Sequence, residues 1–294
     1  MRFALNALNG ENDNREWALL PGLCCQAAGG DPDVALPIAA AWLLYYAAAK
    51  VMDDVEDRDD LDVWWVQIGS KGAISAATGL YFTASLLLSR LDLWLEDQAA
   101  AREIRSGMLS RFMEMCSGQH LDLMVEKPNL EEYQRIAAAK SGTFFSMACW
   151  AGARLATNQS KILDGFQEYG KQMGLLIQLS DDLMDFKRLK ADPAEQKFTN
   201  LIRSFPVVCV LEDCKEEEKT ALLRRLRLES QDHQSAEEIF QMIDQYGGTR
   251  SLLAEQDFHF FLGLEGLEKA QAQQPAKGRL IALLDGLHFS EEIV

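Results

Sequence analysis

Basic residues, histidine and proline are all scarce in this chain. Its 294 residues hold 29 Lys and Arg against 45 Asp and Glu, with a formal charge of −16. A surface this acidic excludes nucleic acid as a partner, because neutralising phosphates needs Lys and Arg. Only four His are present, and none lies between Met1 and Gln119. Seven Pro leave the stretches 71–125 and 133–186 uninterrupted, so long helices can run there. The six Cys form no Cys-x-x-Cys pair, and Cys116 and Cys149 lie in apolar helical stretches as small hydrophobes. Disulfide and zinc roles are not expected. No alternating Val, Ile and Thr runs with hairpin turns occur, which removes β architectures. No run of about 18 uncharged apolar residues is present, so no membrane span is expected. Met1 to Gly10 is too short and polar for a signal peptide, and the reading is a cytoplasmic protein.

What the chain does have is apolar helical material. Hydrophobic residues make up 48%, enough for a large core. Helices are predicted over about 16–28, 33–57, 71–90, 96–125, 130–156 and 161–188, followed by shorter ones over 204–212, 215–228, 235–246, 249–271 and 277–286. Gly29-Gly30-Asp31-Pro32, Lys127-Pro128-Asn129 and Asp192-Pro193 separate them. The predicted fold is all-α, a single domain over 1–294 with a loose start at 1–15.

Two acid clusters stand out. Asp53-Asp54-Val55-Glu56-Asp57 and Asp181-Asp182-Leu183-Met184-Asp185 share the form Asp-Asp-x-x-Asp. Each follows an apolar helical stretch. Residues four apart share a helix face, and like charges there are destabilising unless neutralised. Magnesium takes one or two carboxylates and completes its shell with water and substrate phosphates. The clusters therefore predict metal ions gripping a diphosphate. A solvated helix end explains one such cluster, but two in the same setting point to metal.

With these motifs in hand, the chain resembles the trans-isoprenyl diphosphate synthase (polyprenyl synthetase) family. The resemblance runs from about residue 17 to 270. It rests on Gly29-Gly30-Asp31-Pro32, the two Asp clusters, Gly118-Gln119-His120-Leu121-Asp122-Leu123, Lys140-Ser141-Gly142, Gln178-Leu179-Ser180-Asp181-Asp182 and Ser204-Phe205-Pro206. It implies a helical bundle with a central apolar pocket, usually a homodimer, acting on an allylic isoprenyl diphosphate with Mg2+, three ions when diphosphate is bound. By position, Asp53, Asp54, Asp57, Asp181, Asp182 and Asp185 would hold metal. Lys140 would contact the allylic diphosphate, and Gln178 would lie near the reacting carbons. Lys187, Lys197 and Arg203 follow the second cluster as further diphosphate cations. Tyr46, Ala49, Phe82 and Phe145, with Leu43, Phe144 and Trp150, are candidate pocket residues, each equally readable as bundle core. Tyr45 and Tyr46 would form a floor two to three turns below the metals, at about 5.4 Å per turn, suiting about fifteen to twenty carbons.

The departures bear on the acceptor. Where the family carries Arg-Arg-Gly after its first cluster, this chain has Asp62-Val63-Trp64. Its basic Gly-Gly-Lys-Arg segment is matched by Asp13-Asn14-Arg15-Glu16-Trp17. Arg15, Arg58 and Lys71 are the few candidates to replace them. The pattern is similar to divergent branches: bacterial competence-pheromone prenyltransferases, reminiscent in Trp64-Trp65-Val66, and terpene synthases on the same fold. Three readings follow: prenyl transfer, cyclisation of a single allylic diphosphate, and a non-catalytic subunit of a heteromeric synthase. The two complete Asp motifs argue against the last.

Overall fold

The computed structural model describes residues 17–57, 65, 68–191, 198–227 and 233–289. Among the described residues there is no strand, and twelve α-helices follow one another. These are α1 (Leu20–Ala27), α2 (Leu36–Asp57), α3 (Gly69–Ser89), α4 (Gln98–Met124), α5 (Leu130–Ala137), α6 (Thr143–Ala156), α7 (Ser160–Ala191), α8 (Phe205–Asp213), α9 (Glu216–Leu226), α10 (His233–Gln245), α11 (Gly248–Lys269) and α12 (Ala276–Asp285). The all-α expectation is met. The chain divides into two compact units, each assembled from segments distant in sequence.

The first unit comprises 1–113, 146–170 and 265–283. Its α1 ends at the Gly29-Gly30-Asp31-Pro32 break. Gly29 takes a φ of 91°, which favours glycine. A Cβ on Gly30 would meet Ala156 Cβ at 2.7 Å. Asp31 accepts from Asp33 N at 3.0 Å and caps a short 3₁₀ turn (Pro32–Ala35) that leads into α2. Helices α2 and α3 pack together through Ala48, Val51, Trp65, Ala73 and Ala77. Small residues at those contacts let the two backbones approach. Both Pro32–Glu56 and Gly69–Ser89 are long and apolar enough to cross a membrane by length and composition, with half of the apolar window buried in the former and 22% in the latter.

The second unit comprises 114–145, 171–264 and 284–294. Asn129 begins α5 with a capping box: its side chain accepts from Glu132 N at 2.8 Å, and Glu132 accepts from Asn129 N at 3.0 Å. The predicted helix over 130–156 is not continuous. After Ala137 it widens into a π-helical segment, Ala138–Gly142, before α6 resumes at Thr143. Thr143 Oγ1 donates to Ala138 O at 3.1 Å across the widened turn. Two glycines make room for it. A Cβ on Gly118 of α4 would lie 2.6 Å from Lys140 N, and one on Gly174 of α7 would lie 2.3 Å from Ser141 O. Among the described residues, two clusters lie in the core of this unit. One joins Tyr133, Leu175, Leu179, Leu183, Phe205 and Leu252. The other centres on Phe186, Phe198, Phe240 and Ile243.

Candidate functional site

The first aspartate cluster ends α2, in the first unit. Asp54 is buried, its side chain 2% exposed. Both of its oxygens are engaged: Lys50 Nζ donates to Oδ1 at 2.6 Å, and Trp65 Nε1 donates to Oδ2 at 3.0 Å. Burial raises the Asp54 carboxyl above its usual range despite Lys50. The same contact holds the Lys50 ammonium above its ordinary value, against the lowering effect of burial. Asp53 is half-buried. Asp57 closes the helix, and its side chain lies outside the described residues.

Tyr46 and Ala49 precede Asp53 at spacings of seven and four, on one helix face, and both are half-buried. Tyr46 stacks on Trp42 at 6.1 Å and meets Trp17 edge-on at 6.5 Å. Tyr45 faces elsewhere. It is fully buried, 3.9 Å from the Phe112 ring, with its hydroxyl 3.0 Å from Ser85 Oγ. The two tyrosines therefore do not share a floor. Phe82 stands on the open face of α3 at 72% exposure, a surface position and not a pocket wall. Trp150 lies under the Arg111 guanidinium at 4.8 Å.

The second cluster lies on α7, in the second unit. Asp181 and Asp185 are exposed, and Asp185 pairs with Arg188 at 3.7 Å. Asp182 is buried among three donors. Tyr133 Oη (2.8 Å) and Phe205 N (2.7 Å) donate to Oδ2, and Gln178 Nε2 (3.4 Å) donates to Oδ1. Burial raises its pKa to about 7, although each of those donors pulls it down. The middle aspartate of each motif is thus an internal anchor, and of the outer ones described, Asp53 is half-buried and Asp181 and Asp185 are exposed. That division was not legible in the motif.

Among the other predicted residues of this unit, Gln178 and Lys187 lie on α7, and Lys140, Arg203 and Phe145 lie on other elements. Gln178 also accepts from Ser141 Oγ at 3.3 Å. Lys140 Nζ donates to Asp122 Oδ2 at 2.9 Å, and Arg203 Nη1 donates to Asp122 O at 2.8 Å. Lys187 Nζ lies 5.3 Å over the Phe289 ring. Phe144 and Phe145 are buried as an edge-on pair, with centroids 5.6 Å apart. Lys197, Arg15, Arg58 and Asp62 to Trp64 lie outside the described residues, and Lys71 is exposed at the start of α3. Sequence reasoning passed over Tyr133, Trp65, Ser141 and Asp122 as partners. Trp65, Ser141 and Asp122 sat inside stretches already quoted, while Tyr133 left no signal because its partner is 49 positions away.

Among the described residues, no three carboxylates, imidazoles or thiols converge on a single point. This donor set still suits magnesium. The exposed carboxylates Asp181 and Asp185 can supply one or two hard oxygen ligands, and the ion takes the remainder from water and phosphate.

A family model described as polyprenyl synthetase matches residues 12–243. A short chain isoprenyl diphosphate synthase of Methanothermobacter thermautotrophicus is 27% identical over 264 residues, 84% of this chain and 77% of that protein. The tryptophan prenyltransferase ComQ of Bacillus subtilis subsp. natto is 28% identical over 157 residues, 53% of this chain and 47% of that protein. In fold, the chain matches geranylgeranyl pyrophosphate synthetase from Pyrococcus horikoshii with a TM-score of 0.81 at 19% identity, covering 98% of this chain and 95% of that one. With the model spanning well over half the sequence, the chain belongs to the polyprenyl synthetase family.

Proposed function

We propose that this protein is a prenyltransferase that ionises an allylic isoprenyl diphosphate with magnesium. The observation that carries this reading is the repeated arrangement of the aspartate motifs. In both, the middle carboxylate is buried and held by internal donors, at 2.6 and 3.0 Å for Asp54 and at 2.7 and 2.8 Å for Asp182. That anchoring leaves the outer carboxylates, Asp53 in one motif and Asp181 and Asp185 in the other, with Asp57 by its place in the sequence motif, as the ligands that would hold the ions. When bound, magnesium supplies charge stabilisation for the departing diphosphate. Lys140 and Arg203 add fixed positive charge, which acts most strongly where water is excluded. Gln178 and Ser141, hydrogen-bonded to each other, supply the polar edge beside the reacting carbons, and apolar side chains around them keep water away from the cation.

The acceptor in this reading is not isopentenyl diphosphate. A second diphosphate needs its own cations, and the stretch that would carry them reads Asp62-Val63-Trp64. The relative from Bacillus subtilis subsp. natto, whose name makes it a tryptophan prenyltransferase, supports a non-diphosphate acceptor. The test is incubation with geranyl, farnesyl and geranylgeranyl diphosphates, each with and without isopentenyl diphosphate at saturating magnesium. Diphosphate release should not depend on isopentenyl diphosphate. Efficient elongation would restore an ordinary synthase, and a cyclic hydrocarbon product would make the protein a terpene cyclase. In the variants Asp181→Asn with Asp185→Asn, release should fall by at least a hundredfold with the fold intact; full turnover would remove the metal clamp.

A further inference from the structure

One carboxylate in the second unit has no part in the reading above, yet two of its cations converge on it. Asp122 stands at the C-terminal end of α4. Its Oδ2 accepts from Lys140 Nζ at 2.9 Å, its main-chain carbonyl accepts from Arg203 Nη1 at 2.8 Å, and its Oδ1 lies 3.9 Å from Arg203 Nη1. The three groups come from three elements: α4, the π-helical segment and the 3₁₀ turn Phe198–Arg203. All three side chains are about three-quarters covered, with exposures of 21% for Lys140, 24% for Asp122 and 26% for Arg203. Charges so covered are poorly screened, and two like-charged side chains brought together there would repel and turn outward.

We propose that Asp122 is a positioning residue that sets the spacing and aim of Lys140 and Arg203 toward the substrate diphosphate. This inference rests on the assignment of those two cations to the diphosphate. Stoichiometry makes the role possible. An ammonium has three N–H donors and a guanidinium five, so the contacts with Asp122 use a fraction of each group's capacity. Arg203 reaches Asp122 at its main-chain carbonyl (2.8 Å), which no substitution removes, and lies farther from the carboxylate (3.9 Å), so the Asp122 side chain acts chiefly through Lys140 (2.9 Å). The widened turn at Ala138–Gly142 contributes here as well. It carries Lys140 N close enough to Gly118 that a Cβ there would lie 2.6 Å away, one turn before Asp122 on the same helix.

The experiment measures binding of magnesium plus inorganic diphosphate to the full chain by calorimetry. Asp122→Asn keeps the size and one acceptor but loses the charge, and Asp122→Ala loses both; the Asn variant keeps the test open if the Ala variant folds poorly. Binding should weaken about tenfold in Asp122→Ala, the size of one charge-assisted hydrogen bond, and by less in Asp122→Asn. In a Lys140→Met background, Asp122→Asn should add nearly nothing, since it acts through Lys140; a general structural defect would add in full. Unchanged or tighter binding in both Asp122 variants, or full additivity with Lys140→Met, would overturn the inference alone. If Lys140→Met and Arg203→Met themselves leave diphosphate binding unchanged, the assignment of those cations fails and the inference falls with it.

Discussion

Asp54 is a buried carboxylate whose environment is set by two neighbours, and each can be removed without disturbing the packing. Trp65→Phe keeps an aromatic ring against Ala48, Val51, Ala73 and Ala77 while deleting the indole donor to Asp54 Oδ2. A donor lost from a buried charged group costs about 2 kcal/mol, so the melting temperature should fall by about 4–8 °C. A variant as stable as the parent would show that Asp54 is not held by this contact. A second residue-scale prediction concerns Glu255, whose Oε1 lies 3.3 Å from His259 Nε2. The hydrogen bond from His259 lowers its pKa, against burial. A carboxylate with a depressed folded pKa contributes stability that is fully present above its unfolded value and lost as pH falls through the folded one. Glu255→Gln should therefore lower the melting temperature at pH 7, and the gap to the parent should close as pH is lowered toward 3. A gap that persists undiminished at pH 3, as the parent carboxylate takes up its proton, would refute the assignment. Which of the six cluster aspartates is buried could not be read from Asp-Asp-x-x-Asp, because the motif fixes only the helix face. The donors that bury Asp54 and Asp182 come from Trp65, Tyr133 and Phe205, elsewhere in the chain.

At the scale of elements, the periodicity reading found nearly every helix, because long apolar stretches without Pro leave little choice. The predicted 96–125, 161–188 and 249–271 correspond to Gln98–Met124, Ser160–Ala191 and Gly248–Lys269. What it missed is the π-helical segment, since one extra residue in a turn does not change hydrophobic spacing enough to show. The segment exists because two partners lack side chains. Gly118→Ala and Gly174→Ala would drive a methyl group to 2.6 and 2.3 Å from backbone atoms of Lys140 and Ser141. Backbone cannot rotate away as a side chain does, so each substitution should cost about 3 kcal/mol or more and lower turnover by displacing Lys140. Gly79→Ala on α3 is the control. Nothing lies within 4 Å of its added Cβ, and replacing a helical Gly should stabilise by about 0.5–1 kcal/mol. Denaturant midpoints for the three variants test this ordering. A tolerated Gly174→Ala would mean that the segment is not wedged by these glycines.

For the whole molecule, the remaining question is what covers α3. Its apolar window is only 22% buried, and it presents Ile74, Phe82 and Leu86 at the surface, with Leu93 and Trp94 following in the next turn. Contiguous exposed apolar faces are a common feature of association surfaces. The sequence supplied Phe82 as an apolar residue but could not say which way it faced, because α3 is apolar on most of its circumference. The chain as a whole carries a charge of −16, which opposes unspecific association and puts a premium on one complementary apolar patch. We propose that this face pairs with the same face of a second copy, the self-complementary arrangement of a two-fold homodimer. Light scattering should then give twice the chain mass of 32.9 kDa. Phe82→Glu combined with Leu86→Glu places two carboxylates on that face in each copy, and in a two-fold pairing the charges oppose their own counterparts. The variant should elute as a monomer with unchanged helical content. If instead the parent is monomeric and sediments with phospholipid vesicles in a Phe82- and Leu86-dependent way, α3 faces a lipid surface and the dimer is wrong.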